Sequence, residues 1–282
     1  MKMQMFIDMT WGDINNGDVG PGMFSWFHLL WLAITIVATI IVCVTVGLKQ
    51  NPKYDRIVVG TCALIMICCE VFKQFFWFEF YGYYRFEIFP FQFCSVPIYV
   101  ATAATLIPSE KIRSLLYKFL GFYGIIGGLA VMVVPTAVLY TYFIPMSIHA
   151  MLWHGTLIVL GAYLIVSRDY GSKLRELIAP SIMLLGFVII AIIGNILVYN
   201  LHLNTPNCQP GDNLSMFYIS PYYPTQLPLL GMVQEISYPL FVVCYLLFFN
   251  LFSVIVWCIS KLLRRTVGVA LKNKKNQGIV QD

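Results

Sequence analysis

A thiol and a histidine at comparable depth in an apolar chain can form an activated nucleophile, and Cys94 with His154 is such a pair. Cys94 lies in the stretch FPFQFCSVP (89–97), where a glutamine and a cysteine stand between Pro90 and Pro97. With Pro90 at the first helical position, where its missing N–H costs nothing, a helix is expected from about Phe89. Cys94 then falls near the first turn, where the positive end of the helix dipole favours a thiolate. Pro97 cannot donate to the carbonyl of Phe93, which loosens the backbone beside the thiol. His154 is placed to take the thiol proton, the usual activation of such a nucleophile. From spacing alone Cys94 is either that nucleophile or one more buried thiol.

Such residues need a scaffold, and the composition says which kind. Of 282 residues 59% are hydrophobic and 11% charged, with a mean hydropathy of +0.78, far from a soluble domain. Seven apolar runs are long enough to cross a membrane: Met23–Leu48, Ile57–Phe80, Ile88–Ile107, Ile112–Val134, Ile144–Val166, Leu177–Leu201 and Ile236–Ser260. A ~30 Å hydrocarbon core takes about 20 residues of helix, and helices alone satisfy the backbone in runs this continuous. The expected fold is an all-α integral membrane protein, a seven-helix bundle over 23–262. An outer segment, 1–22, precedes it, and a basic tail, 263–282, follows.

Orientation follows from the basic residues. Lys49, Lys53, Arg56, Lys111, Arg113, Lys118, Arg168, Lys173 and Arg175 follow helices one, three and five; Lys261, Arg264, Arg265, Lys272, Lys274 and Lys275 follow helix seven. The other side has Lys2 and Arg85, and Lys73 lies within helix two. The positive-inside rule then puts the N-terminus outside and the C-terminus in the cytoplasm. Nothing in the first 22 residues reads as a cleavable signal. The tail is a topology determinant and a contact for anionic lipids, and no nucleic-acid partner is expected. Loop 202–235, rich in Pro, Asn and Tyr, is longer than a connection needs and suits a lid. Of the eight cysteines only Cys208 falls outside the helices, so no disulfide framework is implied. No zinc-protease, Walker or dinucleotide pattern occurs.

With that topology the intramembrane polar residues share the outer half of the bilayer. Glu70, Lys73 and Gln74 lie on helix two, Gln92 and Cys94 on helix three, and His149 and His154 on helix five. His28, Asn195 and Glu235 lie toward the outer ends of helices one, six and seven. The inner half is expected to hold little beyond hydroxyls and thiols. That asymmetry points to one outward-facing polar pocket. Glu70 and Lys73, spaced i,i+3, are either an ion pair that orients helices or part of the site. Glu70 and Gln74 share a face, and His28 suits an interhelical hydrogen bond.

Several of these elements recur together elsewhere. FSWFHLLWL (24–32), Glu70 with Gln74, FPFQFCSVP, GIIGG (124–128) before Pro135, the histidines of IHAMLWHG, Asn195, and MFYISPYYPTQLPLL leading to Glu235 stand in one order along the chain. In that order the chain resembles the YwaF-like family of bacterial integral membrane proteins and their animal relatives, described as Cys/His-dependent lipid acyltransferases. The resemblance implies a bacterial cytoplasmic membrane location, Cys94 as nucleophile, and His154 as its partner with His149 next in line. Gln92 departs from the family, which often has His or Glu there.

The activity this implies is transfer of a fatty acyl chain between phospholipid and lysolipid substrates through a Cys94 thioester. An amide or backbone N–H near Gln92 and Pro97 would hold the oxyanion. No metal or organic cofactor is implied, since the histidines and the thiol make a poor tetrahedral set. The alternative is a small-solute or proton-coupled transporter using Glu70, Lys73 and the histidines. A seven-helix receptor is disfavoured by IPSEKIR at the inner end of helix three and by the lack of Asn-Pro-x-x-Tyr in helix seven.

Overall fold

The structure is a computed structural model that describes residues 3–12, 20–135, 142–168, 170, 173–202, 214–225, 227 and 229–276, with side chains as far as 262. The loop segment 203–213 with Cys208, and the basic side chains beyond 262, lie outside the described residues.

Local sequence signals set the helix limits. After a single helical turn, α1 (Gln4–Ile7), α2 (Trp26–Thr45) starts at Ser25, whose hydroxyl accepts from the His28 N–H at 3.3 Å. α3 (Pro52–Tyr81) starts at Asn51 with Pro52 at its first position, so a polar cap and a residue without an N–H leave few orphan donors. It stops at Gly82, whose φ of 74° is left-handed and whose N–H bonds the Phe78 carbonyl at 2.9 Å. The remaining helices are α4 (Val96–Leu106), α5 (Glu110–Phe119), α6 (Ile125–Val133), α7 (Ile144–Ser167), α8 (Ile178–Asn200), α9 (Leu230–Ile236) and α10 (Tyr238–Asn276). A π-turn at Leu120–Gly124 joins α5 and α6 into one rod. Six helices of the described chain are then long and apolar enough to cross a membrane.

The expected third helix is different. The run Ile88–Ile107 forms a continuous helix only from Val96, and α4 has 11 residues, about 16 Å of rise against a ~30 Å core. The prolines are the cause. Phe89, preceding Pro90, is held extended at ψ 129°, and Pro97 sits in the first turn of α4, where no donor is needed. Cys94 therefore lies just before the N-cap Ser95, outside the helix, and Pro97 loosens nothing. The chain still traverses the bundle here. Arg168 bonds Glu110 at 2.6 Å and pairs with Asp55, so α3 and α5 start at the same end, and the segment between them must return across.

Irregular backbone at membrane depth persists only where protein satisfies it. Gln74 Nε2 donates to the Ile88 carbonyl (3.0 Å), Tyr99 OH to Pro90 (3.0 Å), Phe217 N to Phe91 (3.3 Å), Ser95 N to Gln92 (2.8 Å) and Trp153 Nε1 to Cys94 (3.0 Å). α7 forms the central post behind this segment, buried along most of its length, whereas α2 lies on the rim. Close approach of α6 to α7 depends on Gly128 and Gly161, where an added Cβ would lie 2.7 Å from the His154 carbonyl oxygen and 2.7 Å from Ile125 Cβ.

The opposite half of the bundle is more polar than expected. Asn250 Oδ1 accepts from Tyr123 OH (2.7 Å) and Ser181 Oγ (2.6 Å), with Ser253 beside them. At the membrane edge Asp55, 1% exposed, also accepts from Tyr163 OH at 2.7 Å, and Arg113 pairs with Glu110. Burial pushes the neighbouring Tyr170 phenol up to about 12, so it remains a neutral hydroxyl beside Ser114. Asn250 and Asp55 were legible as buried polar groups only once their partners, far away in sequence, were in place.

Candidate functional site

Cys94 sits where four elements meet. Its sulfur lies within electrostatic range of Lys73 and Glu70. On one side an added Cβ at Gly127 of α6 would be 3.4 Å from the Cys94 Cα, ordinary van der Waals contact, so α6 packs directly against Cys94. On another, Trp153 of α7 holds its carbonyl. Tyr245 of α10, fully buried, interacts electrostatically with the thiol, and its hydroxyl has no protein partner. The start of α4 faces this residue with its positive end.

Lys73 Nζ contacts Glu70 Oε1 at 2.9 Å, and Gln74 Nε2 contacts the same oxygen at 2.6 Å. The ion pair read from the i,i+3 spacing is thus formed, and Gln74 uses its amide to join it to the irregular segment. Lys73 also acts electrostatically on His149. Lys73 thus acts on both the nucleophile candidate and one of the two histidines.

The histidines differ in what their nitrogens are free to do. His28 Nδ1 accepts from the Phe24 N–H at 3.0 Å, which leaves Nε2 to donate to the Met132 carbonyl at 2.9 Å. Both nitrogens are spent, and the residue ties α2 to α6. His28→Ala should cost about 0.6 kcal/mol, the common size of such a bond in a membrane. A shift in the unfolding midpoint, with Cys94 reactivity unchanged, would show it. His154 Nδ1 is 2.7 Å from the Ala150 carbonyl, which can only accept; the proton is therefore on Nδ1 and Nε2 carries a lone pair. That Nε2 is buried without a partner. The His149 Nε2 is likewise buried and unpaired.

No direct hydrogen bond joins His154 to Cys94. On α7, His149 and Trp153 are i,i+4 and stack with centroids 5.9 Å apart, so His149 shares the face that reaches the Cys94 carbonyl. His154 is turned by about 100° from Trp153, and its carbonyl abuts Gly128.

Gln92 and Asn195 have a different task from the one expected. Gln92 Nε2 donates to the Ser215 carbonyl at 2.9 Å, and Asn195 closes a two-bond pair with the Met216 peptide at 3.1 and 2.7 Å. They pin the described part of loop 202–235 into the bundle, with Leu214, Met216, Phe217 and Ile219 all buried. Phe217 and Tyr218 both have left-handed φ, 59° and 56°, and the Phe217 ring packs between those of Phe91 and Phe93. The described part of the loop thus packs against the segment that carries Cys94. Asn195→Ala would orphan the buried Met216 N–H, about 1–3 kcal/mol, while the Met216 carbonyl keeps the Ile219 N–H. Faster proteolysis within 214–225 is the expected readout, and unchanged resistance would refute the pinning. Glu235 is exposed on α9, whereas its neighbour Gln234 clamps Ser220, Tyr223 and Thr225 at 2.9, 3.0 and 2.6 Å.

Sequence reading missed Trp153, Tyr245 and Gln234. Trp153 was visible as the residue four after His149; Tyr245 had no signal beyond being an aromatic in an apolar helix. Among the described residues no group of three or more His, Cys, Asp or Glu could hold a metal.

A family model described as the TMEM164 family matches residues 23–259, the whole bundle from α2 into α10. No curated protein and no solved structure matches the chain.

Proposed function

Since the chain belongs to the TMEM164 family of transmembrane proteins, we propose that this membrane protein is a lipid acyltransferase with Cys94 as nucleophile. The observation that carries the reading is the placement of Cys94: a thiol on non-helical backbone about 16 Å from one membrane edge, at the positive end of α4, with the unpaired Tyr245 hydroxyl in electrostatic reach. The likeness to YwaF-like Cys/His enzymes points the same way.

In the first half-reaction Cys94 Sγ attacks the ester carbonyl of a phospholipid. The thiol proton passes to Nε2 of His154, through water because the two do not touch, with His149 as the other acceptor. The ester C–O bond breaks, the proton goes to the departing lysolipid oxygen, and the acyl group stays as a thioester. In the second half a lysolipid hydroxyl attacks that thioester, its proton goes to the same nitrogen, and the thiol is restored. Lys73, neutralised in part by Glu70, offers positive charge to the thiolate and oxyanion. Gln92 spends one of its two amide hydrogens on the Ser215 carbonyl. With the N-terminus outside, lipids enter from the outer leaflet.

The test uses purified protein incubated with a phospholipid bearing an alkyne-tagged acyl chain. A hydroxylamine-sensitive tag on Cys94 is expected, absent in Cys94→Ala. A tag of equal intensity in Cys94→Ala, or none in either protein, would reject the reading. The interrupted third crossing is also a device of transporters, whose sites lie at broken helices. Solute uptake into liposomes that survives Cys94→Ala would favour that second reading.

A further inference from the structure

Away from Cys94, a groove of about 350 Å³ opens between the start of α8 and the middle of α10. Leu177, Ile178, Ser181, Ile182, Asn250 and Val254 line it. Ile178 and Ile182 are 60% and 64% exposed, so the groove faces the hydrocarbon of the membrane rather than another helix. Its polar atoms are occupied: Asn250 Oδ1 takes two hydroxyls, Asn250 Nδ2 donates to Leu246 at 2.7 Å, and Ser253 donates to the Asn250 carbonyl at 2.8 Å. What it offers an occupant is an apolar trough.

The rim offers the opposite chemistry. Lys173 caps the short turn Leu174–Leu177 that forms one end of the groove, and Arg175 lies within it; both are exposed, with Glu176 as the acid between them. Across the groove Lys261 shares a helix face with Val254, about 10 Å further along α10. Its ammonium lies 4.7 Å from the Trp257 ring centroid, and Trp257 Nε1 is a buried donor without a partner. Positive charge thus stands at the end of a trough that takes hydrocarbon.

We propose that this groove binds an anionic phospholipid, with one acyl chain along Ile178, Ile182 and Val254 and the phosphate between Lys173, Arg175 and Lys261. An acyl chain covers the apolar lining, and a phosphate oxygen accepts from the basic side chains at the rim. The site is separate from Cys94 and independent of any acyl transfer there.

Native mass spectrometry of the full chain from mixed micelles of dioleoylphosphatidylglycerol and dioleoylphosphatidylcholine tests it. Wild type should retain one phosphatidylglycerol in preference to phosphatidylcholine. Lys173→Gln with Arg175→Gln and Lys261→Gln should reduce that preference about tenfold, one power of ten in the binding constant. Ile178→Trp, which fills the trough at an exposed position, should remove the bound lipid of both kinds. Retention of phosphatidylglycerol by Ile178→Trp at the wild-type level would mean adsorption to surface charge alone and overturn the proposal. So would equal retention of the two lipids by wild type.

Discussion

Cys94→Ala is expected to lower acyl turnover by at least about a thousandfold, since a missing nucleophile leaves only binding and electrostatic contributions. The side chain lost is small and half-buried, and the surrounding hydrogen bonds use the Cys94 backbone, so folded yield should hold. His154→Gln should then cost about a hundredfold, the ordinary worth of a general base. His149→Gln is the discriminating partner experiment, because His149 stands on the Trp153 face and beside Lys73. A larger loss in His149→Gln than in His154→Gln would reassign the base; turnover within threefold of wild type in Cys94→Ala would remove the mechanism.

The second large effect concerns packing. Gly128→Ala places a Cβ 2.7 Å from the His154 carbonyl oxygen, 2.8 Å from Ile158 Cγ1 and 3.1 Å from Ile158 N. Two of these are backbone atoms of α7, so no rotamer change relieves the contact and the helices must part. Overpacking of this kind costs about 1–3 kcal/mol, and it should also disturb the His154 position. Gly186→Ala is the control: nothing lies within 4 Å of its Cβ, and alanine should stabilise α8 by up to about 1 kcal/mol through helix propensity. Similar unfolding midpoints for the two variants would contradict the close α6–α7 approach.

By itself the sequence determined the solvent and the elements. Runs of apolar residues longer than a bilayer demand helices, and Ser25, Asn51, Pro52 and Gly82 mark their ends by local hydrogen bonding that needs no distant partner. It also singled out Cys94, His149 and His154, because ionisable and nucleophilic groups are rare in hydrocarbon. The Glu70–Lys73 pair was legible for the same reason, its spacing being a property of one helix.

Tertiary structure decided what periodicity cannot carry. The run Ile88–Ile107 looks like a full span, yet its first half, broken by the prolines, stays irregular, and Gln74, Trp153 and Phe217 from other segments, with Tyr99 of α4, satisfy its carbonyls. Gln92 and Asn195 read as site residues by depth, but their amides match a peptide of the loop, and only the folded loop reveals that match. The difference between His28 and His154 is likewise invisible in sequence: both are buried, and only the neighbours decide which nitrogen is left with a lone pair. Helix limits arise from contacts within a few residues, whereas the role of a buried polar side chain depends on the partner that long-range packing supplies.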